Sequence, residues 1–170
     1  VRAAYDIMEL AVNRYLVSIG GKLNANSVDA AEETLKFLEE LVDNLPTQGS
    51  KRSEKMELYQ QFSTPPSIAY LADFVANVQK DDVILEPSAG IGGLVALPKA
   101  WGATVIVNEL ERERLDTLKN MPFDRFFNED AEQINNILPD DVKPTLVIMN
   151  PPFSRAGERT GMKSDTRNAK

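Results

Sequence analysis

A chain of 170 residues, 42% hydrophobic and 26% charged, is long enough for one domain with a real core and at most a small appendage. It holds no cysteine and no histidine, which excludes a disulfide framework, a thiolate nucleophile, a Cys- or His-ligated metal and a Ser-His-Asp triad. The net charge of -7 argues against strong nucleic-acid binding by these residues on their own, and no apolar run approaches the roughly 18 residues of a membrane span. The lack of cysteine fits a reducing cytoplasm. No signal-peptide pattern opens the chain at Val1, and Lys170 falls in a stretch without an ending character, so the sequence reads as a piece of a longer protein.

Residues 1 to about 19 carry apolar side chains at helical spacing: Ala4, Met8, Ala11 or Val12, Tyr15 and Ile19. Gly20-Gly21 should end that helix. A second helix should start near Ser27 or Asp29, with Asp29 and Glu32 spaced as a capping box. Its stripe of Val28, Ala31, Leu35, Leu38, Val42 and Leu45 wants a partner, and the first helix is the nearest candidate. Pro46 stops it, and a polar connection runs to about Lys55. In the segment QQFSTPPSIAYLADFV (60–75), Pro65 and Pro66 suit a first helical turn, and Ile68, Leu71, Val75 and Val78 are expected to form one apolar face.

The pattern then changes. Four short apolar runs, 82–87, 104–108, 125–128 and 145–150, are separated by helical segments at about 92–101, 111–119 and 131–138. Strands alternating with helices, each strand apolar on both faces, predict a parallel sheet covered on both sides. Pro98 should shorten or kink the helix it interrupts.

Ligands of open α/β sheets bind at the carboxyl ends of the strands. The first strand runs into Glu86-Pro87-Ser88-Ala89-Gly90-Ile91-Gly92-Gly93, where small residues allow a tight turn and close backbone approach; a G-x-G is also often only a turn. The second ends in Asn108-Glu109. Glu109 lies 19 residues after Gly90, close to the ~20 of a ribose-binding acid, although an acid there can also sit on the next helix dipole. The third ends in Asn128-Glu129-Asp130, and Asp130 could accept from an adenine amine or merely cap a helix. The fourth ends in Asn150-Pro151-Pro152-Phe153. Tandem prolines cannot continue a central strand, so this is either a plain strand exit or a rigid, carbonyl-rich corner for a planar amine. Together the four ends describe an adenosine-bearing cofactor beside a planar amine. No phosphate-binding Lys follows the glycines, and the third spaced glycine of the dinucleotide fingerprint is missing.

Over residues 57 to 155 the chain resembles S-adenosylmethionine-dependent amino-methyltransferases, specifically the gamma-ordered adenine-N6 DNA enzymes of restriction–modification type. QFSTPPSIAYLADF resembles the motif that precedes the first strand and touches the cofactor's methionine part. ILEPSAGIGGL resembles the cofactor loop, VNELE the ribose acid, NEDA the adenine acid and NPPF the catalytic motif. The resemblance implies a Rossmann-like methyltransferase fold, here partial, with sheet order 3-2-1-4 and an N-terminal helical appendage. It implies S-adenosylmethionine contacts at Phe62, Thr64, Pro65, Glu86, Pro87, Ser88, Gly90, Gly92, Glu109, Leu110, Asp130, Ala131 and Asn150. Asn150, Pro151, Pro152 and Phe153 would be catalytic, with Phe153 stacking on a flipped-out adenine, an interaction worth about 1–3 kcal/mol. It calls for no metal and no membrane. Asn-Pro-Pro-aromatic is shared with RNA-base and protein-glutamine methyltransferases, whereas cytosine-carbon methylation needs a thiolate that the chain lacks.

The expected division is a helical appendage over 1–55, the cofactor-binding and catalytic half over 56–154, and a flexible basic loop over 155–170. From Pro151 on, five basic residues face two acidic ones. The expected partners are DNA, through regions largely outside this chain, and the remaining domains of a parent protein, which could be a methylase–helicase fusion of a mobile element. The expected setting is a bacterial or phage-encoded, nucleoid-associated protein of the cytoplasm. The alternative from another class is a non-catalytic cofactor-binding or scaffold module of a larger nucleic-acid machine.

Overall fold

The computed structural model describes residues 2–45 and 64–151. Phe62, Pro152, Phe153, the connection after Pro46 and the segment 155–170 lie outside the described residues. The helices are α1 (Arg2–Ile19), α2 (Val28–Asp43), α3 (Pro66–Val75), α4 (Ala96–Ala100), α5 (Arg112–Leu118) and α6 (Ile134–Ile137). The strands are β1 (Val83–Glu86), β2 (Thr104–Asn108), β3 (Arg125–Phe127) and β4 (Leu146–Val147).

All four strands are parallel, in the order β3-β2-β1-β4. This is the Rossmann-like order expected from the sequence, with β1 at the centre and the chain reversing direction across the sheet between β1 and β4. Val83 pairs with Thr104 and Glu86 with Val107, while Leu85 pairs with Val147 on the other side. Both faces of the sheet are covered. Ile84, Val105, Val107 and Ile148 face a core shared with Ala69 of α3, Leu94 and Val95, and Leu115 and Leu118 of α5. Leu85 and Ile106 face a smaller core closed by Ile134 and Val142. Helices therefore pack against alternate residues of each strand.

Pro98 sits inside a helix of only five residues, preceded by a 3-10 turn over Gly93–Val95, so the helix it interrupts is short. Four expectations about the helices change. On α1 the buried positions are Glu9, Val12, Asn13 and Leu16, whereas Ala4, Ala11 and Tyr15 are exposed; two polar side chains occupy the inner face, and the apolar stripe alone misplaces it. On α2 the cap is Ser27, whose hydroxyl accepts from Ala30 N–H at 3.3 Å, so Asp29 and Glu32 form no capping box. The main partner of α2 is α3, where Tyr70 joins Ala31, Leu38 and Val42, although Val12 and Leu16 of α1 reach the same cluster.

The face of α3 is inverted relative to the apolar pattern. Ile68, Leu71 and Val75 are 55%, 44% and 75% exposed, and of the expected stripe only Val78, beyond the helix, is buried. Ser67, Ala69, Tyr70 and Asp73 point inward. The helix is held between α2 and the turn over Gly93–Val95, so small residues sit where backbones approach and one large ring fills the α2 side. That ring, Tyr70, packs edge-on to Trp101, with centroids 6.2 Å apart. Trp101 in turn donates its indole N–H to Gly20 O at 3.0 Å, which ties the end of α1 to the end of α4.

Candidate cofactor site at the strand ends

Because the strands are parallel, their exits open on one edge of the sheet. β1 leads into Pro87–Gly93, β2 into Glu109 and Leu110, β3 into Asn128–Asp130, and β4 into Met149–Pro151. Glu86, Pro87, Ser88, Gly90, Gly92, Glu109, Leu110, Asp130, Ala131, Asn150 and Pro151 therefore come from one end of the sheet, as the sequence expects. Thr64 and Pro65 reach that end from the start of α3, where Pro65 precedes the first helical turn and Pro66 fills it.

The glycine loop is held in one shape by backbone ties. Gly90 and Gly92 both have left-handed φ, 57° and 78°, a conformation that L side chains disfavour. Ala89 N–H donates to Asn108 O at 2.8 Å, and Gly92 N–H donates to Ala89 O at 2.7 Å. Gly90 N–H donates to Glu109 Oε2 at 2.8 Å. Glu109, nearly buried, also accepts from Glu111 N–H through Oε1 at 2.9 Å. The expected ribose acid is thus a clasp between loop and second strand. Each carboxylate oxygen carries two lone pairs, so acceptance of a further hydroxyl is compatible with the clasp.

Two asparagines lace the strand ends together. Asn108, fully buried, donates to Pro87 O at 2.9 Å and to Glu129 O at 2.8 Å, and its oxygen accepts from Glu129 N–H at 2.8 Å. One amide thereby joins the exits of β1, β2 and β3. Asn128 donates to Glu109 O at 2.7 Å and Leu110 O at 2.9 Å. The sequence reading singled out neither side chain. The repeated Asn-Glu at the ends of two successive strands was the available signal. Asp130 is exposed and caps the 3-10 turn Ala131–Gln133 by accepting from Glu132 N–H at 3.0 Å. Leu110 is exposed as well.

Thr64 and Asn150 meet. The Asn150 side-chain amide donates to the buried Thr64 hydroxyl at 3.1 Å, across 86 positions of sequence.

Acidity dominates the electrostatics. Glu86 is 2% exposed, and its pKa is raised well above the usual range by burial first, then by Asp73, Glu9 and Glu109. Burial pushes Asp73 up to about 9. Glu86 Oε2, Ser88 Oγ and both Asp73 oxygens are buried with no hydrogen-bond partner among the described residues. Buried polar atoms are nearly always satisfied, so Glu86 and Ser88 beside the glycine loop fit a ligand that brings donors, such as an ammonium. Among the described residues, no group of three acidic side chains is arranged to hold a metal ion, and no helix is long and apolar enough to cross a membrane.

No protein-family model matches the chain, and no curated protein sequence does either. Among solved structures it is similar to TrmN from Thermus thermophilus, at 14% identity and a TM-score of 0.45, covering 73% of this chain and 59% of that one. It is also similar to a protein-L-isoaspartate O-methyltransferase, again at 14% identity and a TM-score of 0.45, covering 70% of this chain and 47% of that one. The chain thus spans about half the length of these two proteins.

Proposed function

We propose that this chain is the cofactor-binding and catalytic half of an S-adenosylmethionine-dependent methyltransferase that acts on the exocyclic N6 amine of a flipped-out adenine in DNA. The observation that carries the proposal is the hydrogen bond between Asn150 and Thr64. It joins the segment expected to touch the cofactor's methionine part to the one expected to hold the target amine, at the strand end where Glu86 and Ser88 carry unmet buried atoms. S-adenosylmethionine, when bound, supplies an electrophilic methyl group on a sulfonium. Glu86 and Ser88 would hold its amino end, Glu109 its ribose, and Asp130 its adenine amine.

The remaining work falls to this chain's own groups. Asn150 Oδ1 and the Pro151 carbonyl accept the two N–H groups of the target amine. That pulls the nitrogen lone pair out of conjugation with the ring and fixes the approach, and positioning is most of what such a displacement requires. Thr64 accepts from the Asn150 amide nitrogen and so helps fix that amide in place. Phe153 stacks on the base. DNA would be gripped largely by other domains of a parent protein, consistent with the chain's negative charge, in a bacterial or phage-encoded setting in the cytoplasm. The test is single-turnover methylation of adenine-containing duplex DNA, with RNA and glutamine-containing peptide as parallel substrates, by the full-length wild type and Asn150→Ala. The hydrogen bond strengthens as the nitrogen becomes pyramidal, so at saturating cofactor its loss should raise the barrier by about 3 kcal/mol, roughly a hundredfold in rate. Equal rates would refute the catalytic assignment. Transfer to RNA or peptide alone would refute the DNA assignment.

A further inference from the structure

The glycine loop is tied from two sides, and one of them is the N-terminal helix. Ile91 lies between the two left-handed glycines, and its carbonyl accepts from Asn13 Nδ2 of α1 at 2.9 Å, in a buried bond spanning 78 positions. Asn13 is 1% exposed. Its neighbour one turn earlier, Glu9, is equally buried. A Cβ placed on Gly93 would lie 3.4 Å from Glu9 Oε1, 3.4 Å from the Thr64 carbonyl and 3.6 Å from Asn13 Nδ2. So α1, the start of α3 and the end of the glycine loop converge on one point, lined by polar atoms from all three.

We propose that α1 belongs to the cofactor site, with Asn13 as the positioning residue that holds the glycine loop in its binding shape through the Ile91 carbonyl. The inference deepens the methyltransferase reading and rests on it. Two glycines in three make ordering the loop costly in conformational entropy and leave it free to rearrange when untied. Three of its ties, Ala89 to Asn108, Gly90 to Glu109 and Gly92 to Ala89, come from the sheet exits and the loop itself. Among the described residues, the Asn13 bond is the one that reaches Ile91, between the glycines, from the helical layer. Removing it leaves a buried carbonyl without its partner, and the loop relieves that by turning the Ile91–Gly92 peptide, which moves the backbone that a ligand would lie against.

The experiment measures S-adenosylhomocysteine binding by calorimetry for wild type, Asn13→Ala and Leu16→Ala. Leu16 lies on the same helix and is buried among side chains of α2 and α3, whereas Asn13 meets the Ile91 carbonyl, so Leu16→Ala reports loss of α1 packing alone. Asn13→Ala is expected to bind about tenfold more weakly, and Leu16→Ala within about twofold of wild type. Equal weakening in both variants, or none in Asn13→Ala, would overturn the positioning role while wild-type binding leaves the methyltransferase reading standing. Absence of binding by the wild type would remove both. In case Asn13→Ala fails to fold, the wild type supplies a second readout. Its Asn13 side-chain amide resonances should shift on addition of S-adenosylhomocysteine, and unmoved resonances at saturation would overturn the inference.

Discussion

Asp73 offers the sharpest stability prediction. Its side chain is fully buried on the inner face of α3, neither oxygen has a partner among the described residues, and burial raises its pKa from 3.8 to about 9. The native protein therefore keeps Asp73 protonated over a pH range in which the unfolded chain has released that proton. The unfolded state binds fewer protons there, so stability falls as pH rises from about 4 towards about 9. The slope for one group is about 1.4 kcal/mol per pH unit, so between pH 5.5 and 7.5 the loss from Asp73 is on the order of 3 kcal/mol. Glu86, also raised, contributes in the same direction. Asp73→Asn keeps the shape and removes the titration. Wild type has already lost about 2 kcal/mol by pH 5.5, so the variant should exceed it there by about 2 kcal/mol and at pH 7.5 by about 5 kcal/mol, a large share of a typical domain's 5–15 kcal/mol. Urea unfolding followed by circular dichroism at both pH values reads this directly. Parallel pH profiles for the two proteins would refute the protonated, unpartnered Asp73.

Two further substitutions probe the loop and its lacing. Gly92→Ala places a Cβ at φ 78°, 2.5 Å from the Phe123 ring and 3.0 Å from Leu118, so strain and overpacking together should cost about 2–4 kcal/mol in urea unfolding, and a loss below about 1 kcal/mol would contradict the loop geometry. Asn108→Ala strands Pro87 O, Glu129 O and Glu129 N–H and should destabilise by about 3 kcal/mol or more; fast amide exchange at Glu129 in the variant is the matching local signature, and unchanged exchange there would contradict the lacing.

The sheet was legible because its strands are short, mostly apolar runs separated by helical segments; β2 occupies the expected 104–108 without change. The ends were less so. β4 pairs as a strand only over Leu146–Val147, although Thr145 N–H and Ile148 N–H still donate to β1 carbonyls on either side. The helices misled wherever burial did not follow hydrophobicity. Glu9 and Asn13 sit inward on α1, where Asn13 donates to the Ile91 carbonyl and Glu9 lies beside Gly93. Ile68, Leu71 and Val75 stay outward on α3 because the close approach of neighbouring backbones selects small residues for the inner face. At the site, the residue types at the strand exits were readable from their order in the chain. Their mutual bonds, such as Asn150 to Thr64 and Glu109 to Gly90, depend on three-dimensional approach across 86 and 19 positions and left no periodic trace.

The central claim is that these strand ends hold an adenosine-bearing cofactor, and calorimetric titration of the protein with S-adenosylhomocysteine tests it most directly. Wild type should bind at one site per chain. Glu109→Ala, which loses the proposed ribose acceptor and the clasp on Gly90, should bind more weakly by about 1–3 kcal/mol, roughly fivefold to 150-fold. No binding by the wild type, or equal affinity in Glu109→Ala, would contradict the claim.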